Sequence, residues 1–204
     1  MHASERRQQL LEAALEVFSR KGFDGATTKE IAAAAGVTEA IIFRHFPSKL
    51  ALYTAVLDSW AQSPELQDWL AEIKRHMDRN DDASLFRTIA SCTLRSYRQD
   101  VRFQRVLLFA ALEGHELGLA HNREIALPIF ELLRDYIVRR QREGAIAAGH
   151  PGVILAAIAG MAKHYAMMTQ MFGFDVLDLP DEEVAENFTR ILLNGIRPSP
   201  ESKA

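Results

Sequence analysis

The stretch from Thr27 to Phe46 constrains the fold more tightly than any other part of the chain. It reads as two short helices, over 28–35 and 38–46, joined at Gly36-Val37. Two short helices cross steeply through so tight a turn only when particular positions are filled in particular ways. Ala32 is small because the second helix packs against it. Gly36 gives the backbone the freedom that the turn demands. Ile31, Val37 and Ile42 turn inward and fix the crossing angle. Glu39, Ala40, Phe43 and Arg44 are left facing outward on the second helix, the face that such a unit lays in a DNA major groove. A single glycine between two helices is a weak signal, whereas the joint spacing of alanine, glycine and inward aliphatics is restrictive.

Helical periodicity covers nearly all of the rest. Residues 4–21 place Leu10, Leu11, Ala14, Leu15 and Phe18 on one face, and Gly22 sits where a left-handed cap would end that helix. Pro47-Ser48 stops the helix ending at Phe46 and caps the next. Further helices are expected from Leu50, from Pro64, over 84–98, over 101–119, and over 123–143, where Pro128 kinks the helix or lies in its first turns. Two more run from Pro151 to about Phe172 and over 180–196. The 151–172 segment carries two apolar stripes, one led by Ile154, Ile158 and Met161 and the other by Val153, Ala157 and Gly160, so it is expected to be buried on more than one side. The expected fold is all-α with about nine helices: a three-helix head over 1–50, a helical body over 51–198 and a flexible tail over 199–204. A chain that is 48% hydrophobic and 25% charged has the apolar surface for a packed core.

Charge and cysteine content narrow the function classes. The net charge is −3, but the first fifty residues hold seven lysines and arginines against six acids, and the remainder seventeen against twenty-one. A DNA contact is therefore a local patch on the head, with an acidic body. Cys92 is the only cysteine, which excludes an intrachain disulfide or a cysteine-rich metal site and fits a reducing cytoplasm. Glu5, Arg6 and Arg7 precede the first apolar residues, unlike a signal peptide. The uncharged stretch 144–162 approaches membrane-spanning length, yet Gly149-His150-Pro151-Gly152 breaks it, and no membrane is expected. No phosphate loop, nucleophile–base pair or metal motif stands out, so an enzyme is not expected and no cofactor or metal is implied.

With these residues in view the chain resembles the tetracycline-repressor (TetR) family of transcriptional regulators. The resemblance runs over residues 8–57: an amphipathic first helix ending in Lys21-Gly22-Phe23, then Thr27-Thr28, Ile31-Ala32, Ala35-Gly36-Val37, and Phe43-Arg44-His45-Phe46-Pro47-Ser48-Lys49. The resemblance implies that Thr27 and Thr28 contact phosphate at a helix N-terminus, and that Thr38, Glu39 and Ala40 meet base edges or phosphates. It makes Arg44 a guanine contact or phosphate clamp and Lys49 a DNA-backbone anchor. Three positions depart from the family. Phe43 stands where tyrosine is usual and can only pack, on a thymine methyl for example. Ala40 replaces a frequent glycine. Glu39 replaces a frequent lysine; its carboxylate repels phosphates but accepts from a cytosine amine. Arg6 and Arg7 are candidates for a minor-groove arm, and His45 and Phe46 for the head core.

The family resemblance also implies a homodimer built by the last two helices. The candidate interface residues are Ala157, Gly160, His164, Met167, Val184, Phe188 and Ile191. Two heads about 34–36 Å apart match successive major grooves of a palindromic operator. A small, largely apolar effector is expected among Trp60, Phe103, Leu107, Phe109, Glu113, Met161, Tyr165 and Met168, residue types that line adaptable pockets and fill cores alike. Glu113, His115, Glu116, His121 and His164 invite a metal reading, but Glu113 and His115 do not share one helix face, which argues against a metal. The expected function is a cytoplasmic, ligand-responsive repressor. The competing readings are a DNA-binding dimer governed by a protein partner or by no ligand, and an all-helical enzyme.

Overall fold

The computed structural model describes residues 3–174 and 177–196, apart from the side chains of Leu117, Gly118, His121 and Asn122. The tail expected over 199–204, the last two residues of the expected body and the His121 side chain lie outside the described residues. Among those described, the chain forms ten helices: α1 (Ala3–Gly25), α2 (Thr28–Ala34), α3 (Glu39–His45), α4 (Lys49–Ala61), α5 (Pro64–Asp78), α6 (Asp82–Gln99), α7 (Arg102–Leu112), α8 (Glu116–Arg142), α9 (Pro151–Gln170) and α10 (Asp181–Ile196). The all-α class is as expected. Helix α5 is separated from α4 because the Leu66 amide donates to Ser63 Oγ (3.3 Å) at the start of a new helix.

One boundary differs from the sequence reading. Periodicity predicts a single helix over 101–119, but α7 ends at Leu112 and α8 begins at Glu116. Gly114 adopts φ 64° between them, and the His115 amide folds back onto the Ala110 carbonyl at 2.8 Å. A left-handed residue with that returning bond closes a helix, and periodicity carries no trace of it. Pro128 lies inside α8, well past its first turn.

The helices gather into two compact units. The first joins Met1–Leu66 with Arg102–Ala126, and the second joins Gln67–Val101 with Leu127–Ala204. In the first unit Leu10, Ala14 and Phe18 of α1, Ile31 of α2, Ile42 of α3, and Leu52, Tyr53 and Val56 of α4 share one core with Phe103 and Val106 of α7. Phe18 meets Tyr53 edge to face at 5.1 Å, and Phe23 meets Tyr53 at the same distance. Polar contacts fasten α7 along α1: Arg102 Nη1 pairs with Glu12 at 2.7 Å, and Arg105 Nε donates to the Ser19 carbonyl at 2.9 Å.

The second unit is built on Ile73, Phe86, Ile89, Ile137, Ile158 and Leu192. Asp82, in the first turn of α6, accepts Tyr136 Oη at 2.5 Å and both Arg140 Nε and Nη2 at 2.9 Å. Burial pushes the Tyr136 phenol up, and its bond to Asp82 adds to the shift. Helix α9 is long and apolar enough to cross a membrane by length and composition alone. The face that it buries takes Ile154 and Ile158 from the first expected stripe but is centred on a neighbouring line, Leu155, Ile158, Ala162, Ala166 and Thr169, while Met161, Tyr165 and Met168 of that first stripe are half-buried. Lys163 and His164 stand exposed on the opposite side. A core helix of a folded unit has this pattern.

Gly22 breaks α1 at φ 70°, ψ −174°, and the chain then completes one more turn to Gly25. That region of backbone space is essentially closed to other residues. A Cβ added there would fall 1.9 Å from Glu113 Oε1, whereas one added at Gly36 would meet nothing within 4 Å. Gly36→Ala carries only the strain of its left-handed φ, about 1–2 kcal/mol. Gly22→Ala adds a collision to a worse backbone conformation and is expected to cost roughly 3 kcal/mol or more. Thermal unfolding of the two variants checks the order.

Candidate nucleic-acid interface

Each short helix is set by its own first residues. Thr27 caps α2 through a reciprocal pair: the Glu30 amide donates to Thr27 Oγ1 at 3.2 Å, and the Thr27 amide donates to Glu30 Oε2 at 3.1 Å. Two backbone donors that a helix start leaves unpaired are thereby satisfied. The turn closes with the Val37 amide on the Ala32 carbonyl at 2.9 Å, and Gly36 takes φ 64°. Ile31 and Ile42 are fully buried, with Ala32 and Ala35 nearly so. Val37, expected inward, is only half-buried. Thr38 caps α3 without a side-chain bond and faces solvent.

The outward face of α3 is as the spacing predicts. Ala40 and Arg44 are exposed, and Phe43 keeps 47% of its surface in solvent. Glu39 is half-buried because Thr28 Oγ1 donates to its Oε1 at 2.5 Å. The Thr28 hydroxyl, expected at a phosphate, is thus bonded to the first residue of α3. Phe46 is buried as expected and His45 is half-buried. Arg6 and Arg7 do not form an arm. Both lie within α1: Arg6 Nη1 donates to Gln9 Oε1 at 2.6 Å, and Arg7 lies over the Phe46 ring at 5.2 Å.

Cations around this face fall into two groups. Lys49 Nζ donates to the carbonyls of Phe23 (2.7 Å) and Ala26 (3.0 Å) and sits 4.3 Å over the Phe23 ring. Two of its three donors therefore hold the end of α1. Lys21 is bonded to Glu30. That bond, followed by those from the Thr27 hydroxyl and amide, holds the Glu30 carboxyl below its usual range. Lys29 and Arg44 are both exposed, form no ion pair among the described residues and remain available to an anionic partner.

Glu113 is the residue whose place the sequence pattern does not foretell. Expected in an effector pocket, its carboxylate accepts the Phe23 amide at 3.0 Å and the Asp24 amide at 3.4 Å. It caps the break at Gly22 within the first unit. Burial, and then the charge of Glu113, pushes the Tyr53 phenol up to about 12. Trp60 and Phe103 stack on each other at 4.7 Å, Leu107 packs against the same core, and Phe109 lies near Gly22. Met161, Tyr165 and Met168 belong to the second unit, half-buried on α9, with Tyr165 edge-on to Phe188 at 6.1 Å. The eight residues divide between the two units. Among those expected at a dimer interface, Gly160, His164 and Ile191 are exposed, Ala157, Met167 and Phe188 are half-buried, and Val184 is turned into the core of its own unit. Among the described residues no three metal-ligating side chains converge.

Residues 10–56 match the family described as bacterial regulatory proteins, tetR family. The HTH-type transcriptional regulator TtgW of Pseudomonas putida is 35% identical over 123 residues, which cover 60% of this chain and 86% of that protein. This chain belongs to the tetR family. Another relative, the HTH-type transcriptional regulator RutR of Escherichia coli, is 28% identical over 200 residues, 96% of this chain and 92% of that one. The crystal structure of SCO4942 from Streptomyces coelicolor superposes with a TM-score of 0.66 at 22% identity, over 94% of this chain and 99% of that one. The chain is accordingly a DNA-binding helix-turn-helix transcriptional regulator and not an enzyme.

Within this family member the capping pair at α2 is a measurable element. Thr27→Ala is expected to lower stability by about 1 kcal/mol. Glu30 has a folded-state pKa below its ordinary 4.5, so its contribution is present above that value and is lost as pH falls through the folded pKa. Acid titration of Glu30→Gln should show a shallower loss of stability below pH 4.5 than the parent chain.

Proposed function

We propose that this regulator binds a palindromic operator as a homodimer and represses transcription until a small, largely apolar effector releases it. The observation that carries the reading is the division of α3: one side is locked in the core through Ile42, while Arg44, Phe43 and Ala40 stand outward and unengaged. A recognition helix needs this combination of a fixed backbone and accessible side chains. The DNA-facing set is Thr27, Thr28, Thr38, Glu39, Ala40, Phe43, Arg44 and the remaining donor of Lys49. A head over 1–50 carries these contacts, and the body over 51–198 carries pairing and response. The protein acts in the cytoplasm, where the chromosome is.

Pairing is assigned to α9 and α10. Val153 is 65% exposed and Ile191 59% exposed, and Ala156 and Gly160 stand exposed along α9 between Val153 and His164. Exposed aliphatics beside small residues suit an isologous helix–helix contact, and one recognition helix alone reads too few bases for specificity. The effector is placed at Met161, Tyr165 and Met168, whose half-buried, adaptable side chains favour an apolar guest. Response follows if the guest shifts the start of α4 near Ser48 and so changes the spacing of the heads, because operator affinity falls when both cannot sit in register.

Selection from a random duplex library at fixed moderate salt is expected to enrich a palindrome with half-sites near one helical turn apart. Failure to enrich any motif overturns the reading. Arg44→Ala should weaken binding to the selected site by about 1–3 kcal/mol; an unchanged affinity removes Arg44 from the interface. Gly160→Arg should sediment as a monomer with a near-parental melting temperature and reduced operator affinity. A Gly160→Arg dimer would place the pairing surface elsewhere.

A further inference from the structure

The geometry points to Glu39 as a base-reading residue that selects cytosine, with Thr28 as the residue that positions it. This rests on the operator-binding reading above and names one specificity determinant within it. Glu39 is the first residue of α3 and borders Ala40 and Phe43 on the outward face. A carboxylate on a DNA-reading face is unfavourable unless something offsets its repulsion from phosphates. Three other acids of this unit have cationic partners: Glu30 is bonded to Lys21, and Glu12 and Glu16 pair with Arg102. Glu39 forms no such pair among the described residues. It is held instead by a neutral hydroxyl, Thr28 Oγ1 on Oε1 at 2.5 Å.

That bond comes from another helix, across the turn, so it fixes the direction of the carboxylate without neutralising it. One oxygen is engaged by Thr28, and Oε2, with no partner among the described residues, is left to accept from outside. A carboxylate is an acceptor only, so its target must offer a donor. In the major groove the donors are the N4 amine of cytosine and the N6 amine of adenine. Adenine presents its N7 acceptor beside N6, which opposes a carboxylate. Cytosine presents N4 without an acceptor of its own alongside, and is the base that fits. The neighbouring Phe43 and Ala40 offer only apolar surface, so Glu39 supplies the polar discrimination at this end of the helix.

The experiment is selection from a randomised duplex library with the full-length chain and with Glu39→Gln, Thr28→Val and Thr28→Ser, followed by competition binding on the selected site. The parent is expected to select cytosine at one position of each half-site, by about five- to tenfold over the other bases. Glu39→Gln should lose that preference and move it toward adenine, whose N6 and N7 match a carboxamide, while other positions keep theirs. Thr28→Val should broaden the same position alone, and Thr28→Ser should restore it. A Glu39→Gln protein that selects the parental motif and binds all sequences more tightly by one common factor would overturn the inference, because Glu39 would then be only a charge near phosphate. A Thr28→Val protein with undiminished cytosine preference would remove Thr28 from the assignment. A parent chain that selects no motif would overturn the operator reading and this inference with it; a parental motif without cytosine at that position overturns only the latter.

Discussion

Phe18, Phe23 and Tyr53 hold the first unit together. Their rings meet at 5.1 to 6.2 Å, from three separate places on α1 and α4. Edge-to-face aromatic contacts add roughly 0.5–1.5 kcal/mol each beyond the area they bury. Their larger effect here is geometric. Phe23 lies beyond the break at Gly22, so its ring can reach Tyr53 only if α1 stops and turns there. Glu113 takes the amides that the turn exposes, and Lys49 takes the carbonyls. Opposite charges thus cap the same short piece of backbone from two sides. The position of α2 and α3 depends on it, because Ala26 and Thr27 follow directly.

The parts of this arrangement that are legible in the sequence are those in which one residue's environment is decided by near neighbours. The spacing of Ala32, Gly36 and Ile42 reports the packing of α3 on α2, and the structure buries Ala32 and Ile42 in one core with Gly36 at a positive φ between the helices. Ser48 reports the start of α4 in the same way, since its hydroxyl accepts from the Ala51 amide at 3.0 Å. What periodicity cannot reach are pairings across long stretches of chain. Glu113 and Phe23 are 90 residues apart and Arg105 and Ser19 are 86 apart, and nothing in the local pattern of either member points to the other. Helix α9 misleads for another reason. Alanine, threonine and methionine are spread around its circumference, so hydrophobicity alone cannot separate the stripe Leu155–Ala162–Ala166–Thr169 from its neighbours.

Charge on the recognition unit follows one pattern. Most basic side chains are tied to the protein itself: Arg7 to a ring, Arg20 to Glu16, Lys21 to Glu30, Lys49 to carbonyls. This accounts for a DNA-binding head with an almost even balance of charges. Its cations chiefly build the scaffold, and few are left to draw in phosphate without regard to sequence. Affinity that depends less on counterion release depends more on the fit of bases to side chains.

The placement of α7 has a consequence for the order in which the molecule is made. Phe103 and Val106 are members of the N-terminal core, and the cap on Gly22 comes from residue 113. A nascent chain that has released only its first sixty-odd residues therefore holds all the helices of the reading head but lacks one wall of the core and the group that closes α1. The first unit is discontinuous in time as well as in sequence. It waits, with apolar surface uncovered, while the ribosome adds α5 and α6, and it becomes complete only when α7 emerges and folds back along α1.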